Sequence, residues 1–214
     1  MAIICPTVTA TSKEDYDEQL HRAVALAKRI HIDLMDGEFA PTKSLSIEEI
    51  WWPAGVGVDL HVMYKHPQAL LAMILKLHPR LVIIHAEAEG DFEDFAAKLK
   101  TAGIKIGVAL LASTPVVQIE SVLSQLNHVL IFSGNLGYFG GQADFALLQK
   151  AENIKQDHPY LEIGWDGGIN DQNITQLIAG GVDVLNTGGF IQKSNNPAHA
   201  YATLKGLALN MKNE

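Results

Sequence analysis

The chain holds a single cysteine, Cys5, among its 214 residues. One thiol excludes an intramolecular disulfide and fits a reducing compartment, so a cytoplasmic setting is expected. No opening stretch joins a basic region to a long apolar one, and no signal peptide is expected. No apolar run approaches the roughly 18 residues that would span a bilayer. Low-complexity segments are missing. There is no run of Lys or Arg, and 24 acidic against 16 basic residues leave a formal net charge of −8. That balance argues against a nucleic-acid surface and against a polybasic membrane contact. What the chain does have is apolar content: 48% of its residues are hydrophobic, enough to bury one substantial core. A single domain over residues 1–214 is expected.

The polar residues that interrupt the apolar runs carry the functional signal. In His31-Ile32-Asp33-Leu34-Met35-Asp36-Gly37, Ile30, Ile32 and Leu34 alternate with other residues. On a strand, His31, Asp33 and Met35 therefore share one face and the apolar residues take the other. Asp36-Gly37 ends the strand as a turn. An inward His and Asp are costly to bury without partners. They are either a satisfied core His with a capping Asp, or a metal-ligand pair in which one carboxylate also moves protons. The pattern recurs. Asp59, His61 and Met63 share a face, His85 goes with Glu87, and Ile163-Gly164-Trp165 runs into Asp166-Gly167-Gly168. Four such strand ends point to polar groups converging on one mouth.

Taken in order, the chain alternates strand and helix. Strands are expected at 2–6, 30–35, 55–63, 81–85, 104–111, 129–133, 161–165 and 182–186. Helices are expected from Ser12 to about Arg29, Ser46 to Trp52, Pro67 to Leu77, Asp91 to Thr101, from Thr114-Pro115, from Ala143 to Gln156, Asn170 to Ala179 and Pro197 to Met211. The strands at 81–85, 104–111 and 182–186 are near-continuous apolar runs, as parallel strands buried on both faces require. Eight such units in this length predict an α/β fold, a closed (β/α)8 TIM barrel. The competing arrangement is an open doubly wound sheet, but the first strand–helix turn carries no G-x-G-x-x-G and no composition break divides the chain. In a barrel, function collects at the C-terminal ends of the strands.

Three glycine-rich loops follow the sixth, seventh and eighth strands: Gly137-Tyr138-Phe139-Gly140-Gly141-Gln142, Gly167-Gly168 and Gly188-Gly189. Each alone could be a tight turn. Together, in neighbouring loops, their exposed N–H groups predict an anion site that needs no help from nearby Lys193.

These residues carry a resemblance. His31-Ile-Asp-Leu-Met-Asp-Gly37, Asp59-Leu-His-Val-Met63, His85-Ala-Glu87, Phe139-Gly-Gly-Gln142 and Asp166-Gly-Gly-Ile-Asn170, in this order, resemble the ribulose-phosphate 3-epimerase family over nearly the whole chain. The resemblance implies an isomerase of carbohydrate metabolism that interconverts D-ribulose 5-phosphate and D-xylulose 5-phosphate, or a closely related ketose phosphate. It implies one divalent metal ion, zinc, iron or manganese, on His31, Asp33, His61 and Asp166. Asp33 and Asp166 would be the catalytic acid/base pair. Thr7, Met35, Met63, Gly137, Gly140, Gly141, Gly167, Gly168, Gly188 and Gly189 would contact the substrate. It further implies a homo-oligomer, dimer or hexamer; the apolar pair Trp51-Trp52 would serve either a subunit contact or the helix–barrel core.

The chemistry gives its own reason for two carboxylates. Inverting a carbon beside a carbonyl removes a proton from one face and returns one to the other, which two fixed groups do without movement. Asp33 and Asp166 come from strands far apart around the barrel, so they could flank a flat enediolate. The sequence departs from the family at Phe132, where a third Met is usual. The loop at 134–142 lacks the family's Pro and is one residue longer, the Gly-Ser after the eighth strand is Gly188-Gly189, and Asn-Pro after the fifth is Leu111-Ala112. Most of these changes surround the phosphate and the sugar tail. A metal-dependent sugar-phosphate lyase on the same barrel and a non-catalytic sugar-phosphate binder remain the alternatives.

Overall fold

A computed structural model describes residues 1–138 and 140–211. Eight parallel strands close into a barrel in chain order: β1 (Ile3–Val8), β2 (Arg29–Met35), β3 (Gly57–Met63), β4 (Leu81–His85), β5 (Lys105–Leu110), β6 (His128–Phe132), β7 (Glu162–Asp166) and β8 (Val184–Thr187). β8 pairs back on β1, with Cys5 opposite Asn186. The strands are almost wholly buried, and their outward side chains pack beneath the helices. Ile30, Ile32, Leu34, Leu60, Val62, Val82, Ile131 and Trp165 belong to this main core. A smaller apolar plug inside the barrel is made by Leu81, Ile83, Ala109 and Leu130. The expected inward faces of β2 and β3 hold, with Asp33 opposite His61 and Met35 opposite Met63.

The covering helices are α1 (Lys13–Leu26), α2 (Leu71–Leu77), α3 (Phe92–Thr101), α4 (Leu148–Asp157), α5 (Ile174–Ala179), α6 (Gly189–Gln192) and α7 (Pro197–Asn210). Ser12 caps α1 through the N–H of Asp15, and Asp91 caps α3 through that of Asp94. Among the described residues, no helix is long and apolar enough to cross a membrane.

Several expected boundaries move. α1 stops at Leu26, short of Arg29, because Arg29 opens β2 opposite Gly57. The helix expected from Ser46 to Trp52 is a turn. There the Tyr16 hydroxyl accepts from the Trp51 N–H at 3.2 Å and donates to the Trp51 carbonyl at 2.6 Å, taking the groups that a helix would have used. Trp52 packs partly against the core, while the Trp51 indole donates to Asp17 at 3.0 Å. The helix expected from Thr114-Pro115 is two short 3-10 turns, Val116–Ile119 and Leu123–Gln125, with Pro115 extended before them. The β-branched pair Val116-Val117 disfavours a longer helix there. The segment expected to be helical from Ala143 opens with a 3-10 turn, Phe145–Leu147, capped by Asp144, before α4. The helix expected from Asn170 begins at Ile174.

Candidate active site

The C-terminal ends of β1, β2, β3, β6, β7 and β8 surround a cavity of about 290 Å³. Thr7, Asp33, Met35, Met63, Gly137, Gly140, Gly141, Asp166, Gly167, Gly168, Gly188 and Gly189 all line it, as does Lys193. The three glycine loops thus meet over one space. Phe139, part of the motif of the first loop, lies outside the described residues. Met35 and Met63 are buried with Ala40, and Phe39 and Leu136 pack on them as one apolar wall.

Beneath the cavity floor, His31, Asp33, His61 and Asp166 each turn one donor atom toward a common point, all within 4.8 Å of one another. Asp33 Oδ1 lies 3.0 Å from His61 Nδ1 and 3.2 Å from His31 Nε2. Asp166 Oδ2 is 3.7 Å from both imidazoles. Strand order alone put Asp33 and Asp166 far apart around the barrel; closure of the sheet brings their facing oxygens together. His31 is fully buried, and neither of its ring nitrogens has a hydrogen-bond partner. A buried imidazole with no aligned hydrogen bond, beside two carboxylates and a second imidazole, is the nitrogen–oxygen set that divalent transition metals take. These four residues could hold a metal ion.

The electrostatics of the floor are uneven. Burial pushes the Asp33 carboxyl up, but His31 and His61 outweigh it and hold the group well below the usual carboxylate range. Asp166 is raised to about 7, first by burial and then by the negative charge of Asp33. Burial, with His85 beside it, lowers His61 to about 4, keeping it neutral. His31 is raised: burial opposes its protonation, but Asp33 and Asp166 favour it more strongly. Burial pushes the Cys5 thiol up, so it is no nucleophile.

Two of the expected convergences fail, at Asp59 and at Glu87. Asp59 shares a face with His61 but does not reach the mouth. Two residues earlier on β3, it sits at the opposite end of the barrel, where Arg29 Nε and Arg80 Nη1 each reach it at 2.7 Å. Arg29 also grips Glu162 with both terminal nitrogens at 2.8 and 2.7 Å, and His128 Nδ1 lies 2.9 Å from Glu162. His85 does turn inward, onto His61, but Glu87 stands outside the cavity lining.

Two residues of the site were not singled out by sequence, and a third, His85, was paired there with Glu87 and not with His61. Thr9 lines the cavity and donates its hydroxyl to Asp33 Oδ2 at 2.5 Å. Asn186 sits opposite Asp166 in the sheet, lines the cavity, and has neither amide atom hydrogen-bonded. His85 packs 2.9 Å from His61, nitrogen to nitrogen. A carboxamide ending the apolar run of β8 was the available signal for Asn186. Thr9 lies just past β1, and only the third dimension connects it to Asp33.

Fold and site together define a (β/α)8-barrel enzyme with a His/Asp cage under a glycine-lined mouth. The chain belongs to the ribulose-phosphate 3-epimerase family, whose model matches residues 3–191. It is 32% identical over 182 residues to a ribulose-phosphate 3-epimerase of Helicobacter pylori strain J99, covering 81% of this chain and 83% of that one. To the Bacillus subtilis strain 168 protein of the same name it is 28% identical, covering 83% and 85%. Among solved structures, a 3-hexulose-6-phosphate synthase superposes with a TM-score of 0.69 at 17% identity, covering 96% of this chain and 99% of that one. Another, from Salmonella typhimurium, gives 0.72 at 12% identity, covering 98% and 99%. These two likenesses show the shared fold alone. Relatives by sequence are carbohydrate epimerases, and this chain is an enzyme of that type.

Proposed function

We propose that this protein interconverts D-ribulose 5-phosphate and D-xylulose 5-phosphate, or a closely related ketose phosphate, by proton transfer at C3 through an enediolate. The observation that carries the reading is geometric: Asp33 and Asp166 meet His31 and His61 at one point under the glycine-lined mouth. Asp33 is held ionised while Asp166 is raised to about 7, so at neutral pH one group is a base and the other is divided between its acid and base forms. Carboxyls pushed apart in this way are suited to opposite proton-transfer roles. Asp33 takes the C3 proton, leaving its electron pair in the enediolate, and Asp166 returns a proton to the opposite face. The reverse reaction exchanges the roles. A divalent cation held by His31, Asp33, His61 and Asp166 would stabilise the negative charge that builds on the substrate oxygens. Thr9, hydrogen-bonded to Asp33 Oδ2, orients the carboxylate. The Thr7 hydroxyl, buried and without a partner, is free for a substrate oxygen. Met35 and Met63 give the enediolate an uncharged wall. The phosphate is received by the loops at Gly137, Gly140-Gly141, Gly167-Gly168 and Gly188-Gly189. The reading includes a cytoplasmic, homo-oligomeric enzyme.

Solvent deuterium exchange tests it. Ribulose 5-phosphate incubated in deuterated water should gain deuterium at C3 while xylulose 5-phosphate forms. Carbon–carbon cleavage would establish the lyase instead, and binding without exchange a sugar-phosphate receptor. Asp33→Asn and Asp166→Asn should each slow epimerisation by about 10²–10⁴-fold. Metal content must be measured alongside. A metal-loaded variant at near wild-type rate would sink the two-carboxylate mechanism.

A further inference from the structure

His61 presents Nδ1 to the carboxylates of the cage and Nε2 to a second buried imidazole. Its Nε2 lies 2.9 Å from Nε2 of His85. At that distance one nitrogen must carry the hydrogen and the other must accept it. The far nitrogen of His85, Nδ1, faces Glu87 Oε2 at 3.4 Å. Both of those atoms are buried, and neither makes an aligned hydrogen bond to any group, so at 3.4 Å each is the nearest complement the other has. The second carboxylate oxygen, Oε1, accepts from the Thr114 hydroxyl and, at 3.3 Å, from the Leu111 N–H. Phe39 and Phe132 pack on the His85 ring at 4.7 and 6.0 Å between centroids and hold its plane.

An ionised carboxylate has no hydrogen to give. His85 therefore places its own on Nδ1, toward Glu87, and its Nε2 becomes the acceptor. His61 Nδ1 lies in hydrogen-bond reach of Asp33 Oδ1, and once a cation takes the place of the hydrogen between them His61 carries its own on Nε2, leaving Nδ1 as a bare lone pair. That lone pair points to the same place as oxygens of Asp33 and Asp166, 3.0 and 3.7 Å away. Without the relay, Asp33 would draw the hydrogen of His61 onto Nδ1 and close that coordination position.

We infer that Glu87 and His85 form a hydrogen-bond relay that fixes the tautomer of His61 and so keeps its Nδ1 open to a cation. Both are positioning residues, since neither contributes an atom to the cage. The inference rests on the reading of His61 as a metal ligand.

The test is zinc affinity of the whole chain, by competition with a chromophoric chelator, for wild type and Glu87→Gln. The amide is isosteric, but only one of its ends accepts hydrogen bonds. Its oxygen stays with the two donors, Thr114 and Leu111, and its NH₂ turns to His85 Nδ1. That reverses the relay: His85 now donates from Nε2, and the hydrogen of His61 moves to Nδ1, where it competes with the ion. Zinc should bind about 10–100-fold more weakly. The melting temperature of the metal-free protein should not fall, which a merely structural role for Glu87 would require. His85→Phe keeps a ring but removes the acceptor, and should weaken zinc to a similar degree. In the zinc-loaded wild type, nitrogen-15 NMR of labelled histidines should find hydrogen on Nδ1 of His85 and on Nε2 of His61. Wild-type zinc affinity in both variants, or hydrogen on Nε2 of His85, would overturn the relay. Should folded wild type bind no zinc at all, the cage reading falls and the relay with it. Zinc binding that is unchanged in the variants removes the relay alone.

Discussion

At the scale of single residues, the cavity floor is built from groups left without partners. The buried Asn186 has neither amide atom hydrogen-bonded, and the Thr7 hydroxyl is also unpartnered. A buried, unsatisfied amide costs roughly 1–3 kcal/mol, which a folded chain tolerates where a ligand takes up the bonds. Asn186→Leu, similar in size, should therefore raise unfolding free energy by about 1 kcal/mol in denaturant titration. The same change should raise the KM for pentulose phosphate several-fold. A variant that is less stable than wild type would show Asn186 to be structural. Of the residues on this floor, His31, Asp33, His61 and Asp166 stood out in the sequence as polar groups at strand ends, as Asp59, His85 and Glu87 did, and only the family resemblance singled these four out as a set. Asn186 did not stand out, since one amide at the end of a strand is common in loops as well.

At the scale of elements, the three glycine pairs look alike in sequence and differ in structure. A Cβ on Gly167 would lie 2.1 Å from the backbone nitrogen of Gly134, and its φ of +107° already excludes ordinary side chains. One on Gly168 would meet Ala143 N at 2.2 Å. Here two loops cross so closely that only glycine fits. Gly189 is different: an added Cβ finds only the backbone of Gly140, at 3.8 Å, in ordinary contact. Gly167→Ala should cost at least about 2 kcal/mol of stability, from strain and clash together. Gly189→Ala should stay within about 0.5 kcal/mol, and its effect should fall on phosphate binding. Calorimetry on both separates the two roles, and equal destabilisation would refute the distinction. The turn at 46–52 teaches a related lesson. Its apolar spacing fits a helix, but the Tyr16 hydroxyl, 35 residues away, takes the backbone groups of Trp51.

At the scale of the whole molecule, the barrel has two polar ends with opposite uses. The C-terminal end holds the cage. The N-terminal end holds a closed ion network of Arg29, Arg80, Asp59, Glu162 and His128, which joins β2, β3, β6 and β7. Removing one partner of a buried pair leaves the other charge uncompensated, so Asp59→Ala should cost about 3–5 kcal/mol. Burial pushes Glu162 up, but His128 and Arg29 outweigh it and hold the carboxyl well below its ordinary value near 4.5. A group depressed in the folded state stabilises above its unfolded pKa and loses that contribution as pH falls toward its folded value. Stability should therefore decline below about pH 4.5, near the unfolded carboxylate value. Glu162→Gln should narrow its gap to wild type between pH 7 and pH 3. A gap that is constant with pH would show that the charge of Glu162 contributes nothing.

The sequence by itself determined the eight strands, most of the helices between them, and the inward faces of β2 and β3. These follow from local periodicity, because a strand buried on both faces must be apolar except where a polar group has a use. Tertiary structure decided the level at which each inward residue lies and what it meets there. Asp59 and His61 are two residues apart on one face, a spacing that assigns the face but not the partner. The strands run side by side through the barrel, so that step moves a side chain from the arginines at one end to the carboxylates at the other. Closure then brings Asp166 of β7 against Asp33 of β2, and His85 of β4 against His61 of β3. Such meetings depend on the tilt and register of neighbouring strands, which no single strand encodes.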